Sequence, residues 1–325
     1  MARLGLNFPF YAGGPYADMV RLGREAEDAG YDCLLVHEGQ ASNDALLNCY
    51  MLAAATNRVQ IMTNVVNIHL REASLCASTA ATIQQAFQDR FILGIGISHR
   101  PVLAAMGIEM GNGRDKLRDY TLALRRFFTG EAARSFANYF PEPTRPVPIY
   151  FGAVTLQTVR MAGELADGLA LVLSSEGRLS RVIQTARDTG RRHGRGPDAI
   201  AVACGVMTFV HEDLALAREA ARAGLAFFML LPAYNRLLHN SGFEGEAKAV
   251  AEAWAKGDAA AATAAVPDRL LEAAALYGPP ARCRERLAAL RAISGLDLLS
   301  IVPYPVGGEG LLAAIKRCLT ALAPG

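Results

Sequence analysis

RFILGIGISHR, residues 90–100, is an apolar run that breaks into glycines and then into polar residues. GIGISH begins like the glycine-rich turn of a dinucleotide-binding open sheet. It lacks the third glycine of that turn, and its strand is the fourth in the chain rather than the first, so the open-sheet reading is set aside. A continuous apolar run instead marks a strand buried on both faces. Seven comparable runs surround it. RLGLNF (3–8), YDCLLVH (31–37) and RVQIMTNVV (58–66) precede it, and VPIYFGA (147–153), DGLALVLS (167–174), AIAVACGVMTF (199–209) and LDLLSIVPY (296–304) follow.

Helical signals fill the gaps. Met19, Leu22, Ala26 and Ala29 mark one face of 17–30, and Gly30 supplies the stop. Asn43 or Asp44 can cap the helix ALLNCYMLAAAT, and EASLCASTAATIQQAF leads back to the quoted strand. Asp115 can cap KLRDYTLALRRFFTG, and a proline-rich loop (141–148) comes next. Eight strands, each followed by a helix, predict a closed (β/α)8 TIM barrel of the α/β class. Residues 226–280 exceed one strand–helix unit and are read as a helical insertion after the seventh strand. The expectation is one barrel domain over 1–325.

Composition sets the class. The 325 residues are 52% hydrophobic and 20% charged, with a net charge of +2. That balance gives no footprint for nucleic acid. No apolar run approaches the roughly 18 residues of a membrane span. The first residues are already strand-like, so a cytoplasmic protein without a signal peptide is expected. Six cysteines lie far apart with no CxxC pair, as expected of reduced core thiols.

In such a barrel, chemistry gathers at the C-terminal ends of the strands. These ends carry Asn7, Phe8, His37, Glu38, Thr63, Asn64, Asn67, Ser98, His99, Thr155, Ser174, Ser175, Thr208 and Tyr304. Amides and hydroxyls outnumber charges, which suits a planar, hydrogen-bonding ligand. His37, Glu38, His69 and His99 show no metal-ligand spacing, so no metal is expected. No GxSxG elbow follows a strand. GIGISHR, with Gly96, Ile97, Ser98 and His99, and FGAVTLQT, with Ala153, Val154, Thr155, Gln157 and Thr158, are two turns suited to phosphate.

The segments AEDAGYDCLLVHE, LAAATNRVQIMTNVVN, RFILGIGISHRPVLAAMGIE, VPIYFGAVTLQTVRMAGELADGLAL and YGPPARCRERLAAL resemble the bacterial luciferase-like oxidoreductases. The resemblance is to the branch using the deazaflavin coenzyme F420, which includes the methylenetetrahydromethanopterin reductases. It implies a barrel holding F420, with FMN as the alternative cofactor. It implies a non-prolyl cis bond at Asn64–Val65 behind the ring, with Thr63 and Asn67 beside it. It implies that backbone amides matching Ile97, Ser98, His99, Val154, Thr155, Gln157 and Thr158 would hold the cofactor tail. Asn7, Gly96, Ala153 and Ser174 complete the expected cofactor set.

Glu38 matches the family's acidic position at the second strand's end. Many members follow it with histidine, whereas this chain has Gly39, and strand alternation turns His37 to the other face. Glu38 and His99 are therefore the expected catalytic acids. The implied activity is hydride delivery from reduced F420 to an unsaturated carbon or C=N bond of a small-molecule or peptide substrate. The alternative is an FMN-dependent monooxygenase. A homodimer is expected, and Phe227, Phe228, Tyr234 and Trp254 are candidate substrate-wall residues.

Overall fold

The computed structural model describes residues 1–9, 16–39, 43–130, 146–196 and 198–324. Among the described residues ten strands run in chain order: β1 Arg3–Phe8, β2 Cys33–Val36, β3 Gln60–Thr63, β4 Val66–Asn67, β5 Phe91–Gly96, β6 Ile149–Gly152, β7 Gly168–Val172, β8 Ala201–Val210, β9 Ala275–Gly278 and β10 Leu298–Pro303. β3 and β4 are two pieces of one barrel strand, and β9 is an addition beside β8. The fold is a closed eight-stranded parallel barrel with surrounding helices, the (β/α)8 class.

Two compact units make up the chain. The first comprises Met1–Asn7, Leu171–Gln184 and Val202–Gly325. In it β10 lies between β1 and β8, with Leu299 facing Leu4 and Cys204, and the end of β8 pairs with β9. The second comprises Phe8–Ala170 and Thr185–Ala201. There the parallel order is β2, β3 with β4, β5, β6 and β7. Every residue of β2, β5 and β10 is buried, which is why each reads as an unbroken apolar run.

Asp44 is the cap of the helix Ala45–Ala55 and accepts from the Leu46 and Leu47 N–H groups. Asp115 does not cap its helix. The helix starts at Gly113, and Asn112 accepts from the Asp115 N–H. A short helix, Arg100–Ala105, follows β5 and had no sequence signal of its own. Within 226–280 lie the end of the helix Leu214–Phe228, the helices Pro232–His239, Glu244–Ala255, Ala259–Ala264 and Asp268–Ala274, and β9, a strand the sequence did not announce. Most of the proline-rich loop lies outside the described residues. All six cysteines are free and buried. No helix among the described residues is long and apolar enough to cross a membrane.

One arginine fastens the second helix to the sheet. Arg90, just before β5, donates to the carbonyls of Ala53, Thr56 and Val59 and to the Thr56 hydroxyl. These include carbonyls left over at the helix C-terminus, where a cation also meets the negative end of the helix dipole. Arg90→Ala strands those carbonyls and is expected to cost about 2–4 kcal/mol in urea unfolding. Arg90→Lys, with one nitrogen in place of two, should recover only part of it.

Candidate active site

The break between β3 and β4 organises this end of the second unit. Ile61 pairs with Phe91 and Met62 with Ile92, but beyond the break Val66 pairs with Ile95 and Asn67 with Gly96. Thr63, Asn64 and Val65 therefore oppose only Leu93 and Gly94, which makes a bulge of one extra residue. The Asn64–Val65 peptide bond within it is cis, as the resemblance implied.

The Thr63 hydroxyl accepts from the Gly94 N–H at 2.8 Å and donates to the Gly94 carbonyl at 2.9 Å, replacing the ladder bonds lost at the bulge. Val65 fills the space that side chains at three glycines would need. A Cβ at Gly94, Gly96 or Gly152 would lie 3.1, 2.6 or 3.0 Å from its methyls. The glycines of GIGIS and FGA thus have a packing reason beside any role toward phosphate.

β2 ends at Val36, so alternation no longer governs the next two side chains. Contrary to the sequence expectation, His37 and Glu38 both reach the 64–71 segment. His37 Nε2 lies 3.3 Å from Asn64 Nδ2, and burial takes the imidazole down to about 4. Glu38 Oε2 accepts from the Asn67 N–H at 2.6 Å, and Oε1 accepts from Arg71 Nη2 at 2.6 Å. The same nitrogen reaches Asp44 Oδ2 at 2.9 Å. Burial pushes the Glu38 carboxyl above its ordinary value, while the Asn67 N–H and the Arg71 charge pull it back.

Donors collect after β5 and β6. Ser98 holds a left-handed φ of 59°, and His99 takes the extended cap position of the helix Arg100–Ala105. Burial lowers the His99 pKa. Thr155 caps the helix Leu156–Leu165, accepting from the Thr158 N–H, and the two threonine hydroxyls lie 3.1 Å apart. That helix N-terminus carries the positive end of the helix dipole, which suits an anion. Arg114, unnoticed in the sequence, donates to Gln157 Oε1 at 2.6 Å. Gly113 faces Ile97, so this helix start touches the turn after β5. Neither 97–99 nor 153–158 contains an acidic residue. Near the bulge, both ring nitrogens of His69 are buried and meet no hydrogen-bond partner among the described residues.

The remaining expected residues belong to the first unit. Asn7 is fully buried and donates to the Ile301 carbonyl. The Ser174 hydroxyl accepts from Ser241. Tyr304 stacks on Phe209, and Phe228 stacks on Tyr234 with ring centroids 3.7 Å apart. Trp254 donates its indole N–H to the Ala226 carbonyl, and Phe227 is 67% exposed. Of the four candidate wall residues, only Phe228 and Tyr234 stack on each other.

A 5,10-methylenetetrahydromethanopterin reductase of Methanolobus tindarius is 25% identical over 317 residues, covering 95% of this chain and 97% of that protein. A putative coenzyme F420-dependent oxidoreductase of Mycobacterium tuberculosis is 24% identical, covering 92% of this chain and 94% of its own length. The solved coenzyme F420-dependent tetrahydromethanopterin reductase of Methanopyrus kandleri shares the fold, with a TM-score of 0.78, 20% identity and coverage of 99% and 98%. The profile of the luciferase-like monooxygenase family matches residues 6–297, and the chain belongs to that family.

Proposed function

We propose that this protein is an F420-dependent oxidoreductase that delivers a hydride to an unsaturated carbon or C=N bond of a small-molecule or peptide substrate. One observation carries the reading: an acid-free set of donors gathers at the ends of β5 and β6, beside the bulge between β3 and β4. That set fits an anionic tail. The Ile97–His99 and Ala153–Thr158 segments would hold it, with Gln157 kept in place by Arg114. Thr63, Asn64, Val65, Asn67 and Gly96 would back the flat ring, and the His69 nitrogens, which meet no partner among the described residues, are suited to a polar group beside it. When bound, the deazaflavin supplies the hydride.

The protein's share is orientation and a proton. Both oxygens of Glu38 already accept strong donors, so its role here is to position the bulge. His99, at the mouth of the β5 turn, is the group proposed to pass the proton. An FMN phosphate would suit the same donors. The family's histidine that serves peroxyflavin chemistry is replaced here by Gly39, which favours the reductase.

Fluorescence titration checks the choice. F420 is expected to bind with micromolar or tighter affinity and FMN more weakly. Reduced F420 should then be reoxidised by an activated enone such as cyclohexenone. FMN retained through purification, with no measurable F420 binding, would overturn the reading.

A further inference from the structure

We propose that Arg71 is a positioning residue: it holds Glu38 as a carboxylate against the Asn67 N–H and so fixes the bulge beside the cofactor face. The cofactor clause rests on the function proposed above; the lock itself does not. Arg71 and Glu38 are 13% and 4% exposed at their side chains, so little water reaches the pair. A single nitrogen, Nη2, joins Glu38 at the end of β2 to Asp44, the cap of the next helix. The Arg71 carbonyl accepts from Tyr120 of the helix Gly113–Phe128, which anchors the segment from behind. The guanidinium therefore joins two elements and the Arg71 carbonyl a third, and the Asn67 N–H is tied to the guanidinium through Glu38.

The charge balance makes the lock sensitive to pH once Arg71 is removed. The groups facing Glu38 are Arg71, Asp44, Cys49, Cys76 and Tyr120, with His37 next in the chain. Burial holds Cys49, Cys76 and Tyr120 neutral by raising their pKa values, and His37 neutral by lowering its own. Arg71 is the one cation among them. Without it, only the Asn67 N–H opposes burial and the Asp44 charge, and the folded pKa of the Glu38 carboxyl rises further above its unfolded value. The folded state then binds more protons than the unfolded state, so stability falls as pH rises through that window. A protonated Glu38 still accepts the Asn67 N–H, whereas an unpaired carboxylate must find water, and opening the bulge lets water in.

The test compares wild type, Arg71→Gln, Arg71→Lys and the double variant Glu38→Gln/Arg71→Gln. F420 affinity and melting temperature are read between about pH 6 and pH 8.5. Arg71→Gln should bind F420 nearly as wild type at the acid end. It should lose about tenfold for each unit by which the Glu38 pKa is displaced as pH rises. Its melting temperature should fall along the same curve. The double variant should remove the added pH dependence, and Arg71→Lys should restore most of the wild-type profile. An Arg71→Gln profile parallel to wild type would overturn the lock, as would an added slope that persists in the double variant. If wild type binds no F420, the proposed function fails, and the melting curves alone still decide the role of Arg71.

Discussion

Gly94→Ala is expected to abolish soluble expression or to lower the urea midpoint sharply, with a cost above about 3 kcal/mol. The added Cβ would stand 2.0 Å from the Thr63 carbonyl oxygen, and that neighbour is backbone. A flexible side chain could swing aside, but this carbonyl is fixed by the bulge. The Thr63 hydroxyl that bonds both Gly94 backbone groups would be driven off, leaving a buried N–H and C=O without partners. Gly177→Ala is the control, because a Cβ there meets nothing within 4 Å on the helix Glu176–Arg192. That change should be neutral or slightly stabilising, since alanine is the better helix former. Equal behaviour of the two variants would mean that β3 and β5 can separate at the bulge without penalty.

The contrast explains what the sequence disclosed. FILGIG was legible as a strand because burial on both faces imposes an unbroken apolar run, and the same logic found all eight barrel strands. β9 escaped because ALYG is four residues long and directly follows a helix, with no turn signal between them. The ring of strand ends was legible from the barrel rule, but its internal bonds were not. Glu38 and Arg71 are 33 positions apart, and only the bulge brings Asn67 within reach of the carboxylate. Alternation failed at His37 for a local reason: the strand stops at Val36. The glycines of GIGIS invited a phosphate reading, while Val65 supplies a packing reason that no spacing pattern could reveal.

Removing the His99 imidazole should cut the reduction of cyclohexenone by about 10² at mildly acidic pH, the usual scale for a lost general acid. The sign of the pH dependence follows from burial, which holds the His99 pKa below its ordinary value. Only the imidazolium can donate, so wild-type turnover should fall about tenfold per pH unit above that pKa and rise on acidification. Stability runs the other way. His37 and His99, both partly buried and desolvated in the folded chain, bind protons more readily in the unfolded chain, so stability falls as pH drops below about 6.5. For His37 the loss continues toward its folded value of about 4, and protonation there charges a ring held against Asn64 of the bulge. The product of the two trends is a bell whose alkaline limb belongs to His99 and whose acid limb belongs to unfolding. His99→Gln should flatten the alkaline limb and leave the His37 part of the acid limb in place, with F420 affinity changed far less than turnover. An alkaline limb that survives in His99→Gln would assign the proton to water or to the substrate itself.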